Sequence, residues 1–67
     1  MRDLVSKLFI VEDNEQIFYK EIAGDHSETK PTTGIADGSI FLETDTGTVF
    51  FFNEKTSAWV EQFSFKG

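Results

Sequence analysis

SIFLETDTGTVFFFNEKTSAWVEQFSF, residues 39–65, decides the fold of this chain. Two runs of β-branched and aromatic residues, SIFLET at 39–44 and TVFFFN at 48–53, are separated by Asp45, Thr46 and Gly47. Such residues fit a pleated, half-buried surface. Gly47 can take the positive φ of a short, bulged hairpin connection, and Asp45 can accept hydrogen bonds from the turn amides. A polar turn at 54–57 (EKTS) leads into AWVEQFSF at 58–65. There strict alternation predicts Trp59, Glu61, Phe63 and Phe65 on one face and Ala58, Val60, Gln62 and Ser64 on the other. The three runs read as an antiparallel meander.

Upstream, LVSKLFIV at 4–11 and QIFYKEIA at 16–23 flank the polar cluster EDNE at 12–15, which predicts a second hairpin. Leu4, Val5, Leu8 and Phe9 also fall at helical spacing, but β-branched and aromatic residues dominate from Phe9 onward and favour a strand. Between the hairpins, GDHSETKPTTGIADG at 24–38 holds three of the five glycines and the single proline. That is loop composition. A connection of this length is usually functional, partner-bound or mobile, and Ile35 is its one large apolar anchor. The expectation is a single all-β domain over residues 1–67. It comprises an N-terminal hairpin (4–23), a loop (24–38) and a meander (39–65), about five strands in a sandwich- or barrel-like arrangement.

Twelve acidic against six basic residues give a formal net charge of −6, with 39% apolar and 15% aromatic residues and no cysteine. This is too apolar for a disordered tail. It is too acidic for a binder of nucleic acid or of an anionic membrane, either of which needs a basic surface. The longest runs of large apolar residues, 8–11 and 49–52, are four residues each, far short of a membrane span or signal-peptide core, so no export signal is expected. Those two runs also pose a packing problem. In an antiparallel sheet with one wet face, apolar and polar residues should alternate. Val49 and Phe51 occupy one face of their strand and Phe50 and Phe52 the other, and Leu8 to Val11 repeat the pattern. A second layer must therefore cover what one sheet leaves bare, supplied by the 4–23 hairpin folding over the meander or by another copy of the chain. Leu8, Ile10, Phe50, Phe52, Trp59, Phe63 and Phe65 are the expected interface residues.

Chemistry is sparse. His26 lies beside Asp25 and Glu28 without an evident nucleophile, and reads as a solvated loop residue. The acidic run Glu12, Asp13, Glu15 lacks the central glycine and trailing glutamate of a calcium loop. Glu43, Asp45 and Glu54 flank turns in a domain with little room for a cleft. No catalytic residue, metal ligand or cofactor is expected. Trp59 and Tyr19 could stack on a sugar, although core or interface packing explains them as well.

The run KPTTGIADGSIFLETDTGTVFFF at 30–52, continuing to Trp59 and Val60, resembles a segment of small tailed-phage virion proteins. The shared pattern is KPT, a glycine, G-S-x-F, an acidic residue, D-T-G, an aromatic pair and W-V. It is similar to the head-fibre or capsid-associated proteins of phages of Gram-positive bacteria, and covers a little over half the chain. One departure is Thr48, where the family often carries lysine. The resemblance implies a non-enzymatic capsid decoration or head-fibre protein, made in the host cytoplasm and carried on the capsid surface of the virion. It would assemble as a homo-oligomer such as a trimer and dock on the major capsid protein or another virion protein. Docking would use the loop residues Asp25, Lys30, Thr32, Thr33, Ile35 and Asp37. A tail-fibre or neck component binding a host glycan, or a small intracellular protein-binding module, are the alternatives.

Overall fold

The computed structural model describes residues 1–65. Five strands, β1 (Arg2–Glu12), β2 (Glu15–Gly24), β3 (Ile40–Glu43), β4 (Thr48–Asn53) and β5 (Ala58–Ser64), form one sheet in sequence order. β1–β2, β3–β4 and β4–β5 pair antiparallel, whereas β2–β3 pair parallel. The all-β reading holds. Asp13 and Asn14 form the first turn with φ of 49° and 66°, the left-handed conformation that a two-residue hairpin needs to match strand twist and that Asn and Asp tolerate best. Gly47 takes φ of 73° in the β3–β4 turn, as its position in the sequence predicts.

The two hairpins do not stack as layers. They are joined side by side, because residues 25–39 are long enough for the crossover of a dozen or more residues that parallel strands require. The crossover leaves β2 at Gly24, passes over one face of the sheet, and returns alongside β2. There Phe18 N donates to Gly34 O and Ala36 N donates to Phe18 O, each at 2.8 Å, a parallel bridge that pairs Phe18 with Ile35. From Ala36 the chain turns through Gly38, at φ of 84°, into β3.

Register assigns the side chains to faces. One face carries the row Asp3, Ile22, Phe41, Phe50, Glu61, with Phe52 opposite Trp59 in the next row. This face holds the core: Ile22, Ile35, Phe41 and Phe52 are all buried. Gly24 belongs here because a Cβ at that position would sit 2.9 Å from Phe41 Cζ. The other face carries two rows, Val5–Glu21–Ile40–Phe51–Val60 and Arg2–Ala23–Leu42–Val49–Phe63. Strict alternation fails in β5. Register shifts between Val49 and Phe50, leaving Gln62 as an extra residue, so Phe63 pairs with Val49 on the face opposite to Trp59. A bulge of this kind reverses the parity of everything beyond it.

Candidate functional site

The covered face is closed by its own chain. Trp59 packs edge-on against Phe41, with ring centroids 5.8 Å apart, and tilted against Phe52 at 5.0 Å. Its indole Nε1 donates to Pro31 O at 2.8 Å, tying the crossover down across the sheet. Lys30 reaches in beside it. Its Nζ donates to Glu43 Oε2 at 2.7 Å and lies 4.4 Å and 4.8 Å from the ring centroids of Phe50 and Phe41. Glu43 is buried and also accepts from Thr46 Oγ1 at 2.7 Å. Burial pushes the Glu43 carboxyl up, but the hydrogen bonds from Lys30 and Thr46 and the ammonium charge outweigh it and hold the group below the usual range.

The expected docking loop is this crossover. Asp25, Thr32, Thr33 and Asp37 are exposed, whereas Lys30 is half-buried and Ile35 is buried against the sheet. Several of its backbone donors already have partners inside the chain: Asp25 N donates to Glu28 Oε1 at 2.8 Å and Ser27 N to Asp25 Oδ1 at 2.9 Å. Asp37 Oδ1 accepts from Glu54 N at 2.9 Å. The crossover is thus an ordered second layer.

Among the described residues, no such layer lies over the opposite face. On it Phe51, Val60 and Phe63 are 39%, 44% and 49% exposed, Ile40 and Leu42 on the neighbouring β3 are half-buried, and the smaller Ala23 and Val49 are buried. A shallow depression of about 740 Å³ opens beside Phe51 and Val60, bounded by Asp37, Asn53, Lys55 and Gln62. Of the seven expected interface residues, Phe52 and Trp59 are taken up in the chain's own core, and Phe50 is half-buried beneath Lys30. Phe63 on β5 and Phe65 just after it stack edge-to-face at 5.2 Å and stay exposed. Leu8 and Ile10 are exposed on β1. Sequence reading left out Phe51, Val60, Ile40 and Leu42, although the parity of Val49 and Phe51 against Phe50 and Phe52 signals a second apolar face. Tyr19, also on this face, is half-buried and donates to Glu21 Oε2 at 2.8 Å.

One long-range polar contact was not legible in the sequence. His26 N donates to Asp45 Oδ1 at 3.0 Å, and His26 Nδ1 meets Asp45 Oδ2 in a short contact, tying the start of the crossover to the β3–β4 turn. Asp25 Oδ1 lies 3.2 Å from the same ring nitrogen. The hydrogen bond to Asp45 and its charge raise the His26 pKa against slight desolvation, with Asp25 and Glu43 adding to the rise, while Asp45 is pulled down to about 2. A raised folded-state pKa means that the tether stabilises fully below the ordinary histidine value of about 6.5 and fades as pH rises through the folded value. NMR titration of His26 is expected to show a midpoint above that of a model histidine, returning toward it in Asp45→Asn. An unchanged midpoint in that variant would exclude the tether.

With the geometry in place, comparison with known proteins finds no counterpart. No family model, curated protein or solved structure matches the chain. Function therefore rests on the bare face and on the sequence pattern.

Proposed function

We propose that this chain is a non-enzymatic structural component of a bacteriophage particle, a capsid decoration or head-fibre protein that oligomerises and docks on the capsid surface. The observation that carries the reading is the uncovered apolar face holding Ile40, Leu42, Phe51, Val60 and Phe63. A face of this kind suits a component that completes its packing by assembly. The likeness of residues 30–60 to phage virion proteins supplies the particle. Within this reading the outward residues of the crossover, Asp25, Thr32, Thr33 and Asp37, make the capsid contact, and Lys30 and Ile35 hold the crossover in shape.

Two measurements test it. Light scattering over a hundredfold dilution is expected to give a mass of more than one copy, and a monomer throughout would remove the assembly argument. An antibody against the chain is expected to label the heads of particles of the phage that encodes it. Label on the tail would transfer the protein to the adhesion machinery, and particles without the chain would overturn the virion assignment.

A further inference from the structure

Register lays out the whole of the bare face. On β1 and β2 it runs through the pairs Arg2–Ala23, Val5–Glu21, Lys7–Tyr19 and Ile10–Ile17, and the first two of these rows continue across β3 and β4 to Phe63 and Val60 on β5. The crossover covers the other side, where Pro31 O holds the Trp59 indole and Ile35 is buried. Two sheets whose inner faces are apolar stack about 10 Å apart and share one core. We propose that two copies of this chain pack bare face to bare face about a two-fold axis, so that two single-layer sheets become the halves of one sandwich with a crossover outermost on each side. This rests on the oligomeric reading above and names its smallest unit.

Three observations select a second copy as the occupant. Area is the first. The molecule measures 41 × 22 × 16 Å, so its broad side, the face of the sheet, has an outline on the order of 900 Å², against about 800 Å² that each partner gives to a standard interface. One face supplies the area a stable dimer needs, and the same face serves both copies, as a two-fold contact requires. Charge is the second. A chain of net charge −6 repels its copies, but from Arg2 to the Ile10–Ile17 pair the bare face holds Arg2 and Lys7 against the single acid Glu21, and on β3, β4 and β5 it holds no charged residue. The surplus acids lie elsewhere: Asp3 and Glu61 stand on the covered face, Asp25 and Asp45 at the crossover and the β3–β4 turn, and Asp13 and Glu15 at the hairpin tip. Bare face to bare face is thus the approach that keeps like charges apart, whereas a basic partner is drawn to the other side. Orientation is the third. Because the crossover covers the opposite face, pairing leaves its exposed residues Asp25, Thr32 and Thr33 outward on both copies, free for the capsid contact, while a bare face set on the capsid would turn them away from it.

Two substitutions at exposed apolar positions, one on each side of the sheet, test this. Val60→Asp puts a charge on the bare face, and Leu8→Ser alters the opposite side, where Leu8 pairs with Phe18. Circular dichroism confirms folding, and Phe63→Ser replaces Val60→Asp if the latter does not fold. Light scattering is expected to give twice the chain mass for the unmodified protein and for Leu8→Ser. Val60→Asp is expected to raise the dimer dissociation constant about thirtyfold or more, the size of a loss at an interface hot spot. A folded bare-face variant that dimerises as tightly as the unmodified chain would overturn the face contact and leave the oligomeric reading standing. So would a folded Leu8→Ser that dissociates as readily as Val60→Asp. A closed assembly of three or more copies would overturn the two-fold pairing alone. An unmodified chain that stays monomeric at every concentration would overturn both.

Discussion

Trp59→Ala is expected to lower folding stability by about 3–5 kcal/mol, the range for truncating a large aromatic in a core, a large share of what holds the isolated chain folded. A domain of 67 residues has roughly 3–10 kcal/mol to lose. The indole is only half-buried, so burial by itself does not place it at the upper end. What raises the cost is its position between two layers. Its ring contacts Phe41 and Phe52 on the sheet, and its Nε1 holds Pro31 O of the crossover. Alanine removes both ring contacts and leaves the covering segment without that anchor, which exposes Phe41, the most completely buried large side chain of the core. Trp59→Phe separates the two effects. It keeps an aromatic body and loses the hydrogen bond, worth about 0.5–1.5 kcal/mol net, and should remain folded with a lower denaturation midpoint. Urea melts of the three proteins decide the matter. Equal stability of the unmodified chain and Trp59→Ala would show that the crossover does not depend on the indole.

The strands were legible because apolar periodicity and turn chemistry are local. The run 48–53 is the observed β4, and the clusters at 12–15 and 45–47 contain the observed turns. Side-chain parity also showed that Phe50 and Phe52 oppose Phe51, hence that the sheet has two apolar faces. The turns also gave the neighbours within the hairpin and within the meander, but how those two units meet, through the parallel β2–β3 pair, was not legible. Alternation fixes a strand's faces and says nothing about whether the next strand lies beside it or above it, so the crossover at 25–39 could equally have brought the hairpins into stacked layers. Bulges are the second blind spot. Gln62 inserts one residue into β5 and carries Phe63 to the face away from Trp59, and Leu4 and Phe9 play the same part in β1. None of the three has a residue type that announces a bulge. The candidate site suffered most from this, since assigning Phe52, Trp59 and Phe63 to one interface merged two surfaces that the sheet keeps apart. Contacts between residues far apart in sequence, such as His26 with Asp45, follow only once the crossover is in place.

Glu43→Gln and Lys30→Ala are each expected to destabilise by about 3 kcal/mol or more, because removing one member of a buried ion pair leaves the other without compensation in a low-dielectric site. The Lys30 and Glu43 side chains are 16% and 8% exposed, and the pair sits directly against the rings of Phe41 and Phe50. The pair also has a directional role, since it fixes the middle of the crossover to the end of β3. The double variant Lys30→Met with Glu43→Leu distinguishes electrostatic from purely apolar cover. Replacing both charges by apolar groups of similar size is often neutral or stabilising, so the double variant should be at least as stable as either single one and should approach the unmodified chain. The pH dependence follows from the sign of the shift. Glu43 is held below the ordinary carboxylate range, so its contribution is present above the unfolded value of about 4.3 and is lost as pH falls through the folded one. The unmodified chain should therefore lose stability on acidification, and the double variant should lose less over the same interval. Thermal melts between neutral pH and pH 3 read this directly. An acid profile identical in the two proteins would mean that the Lys30–Glu43 pair contributes nothing to holding the crossover over the aromatic face.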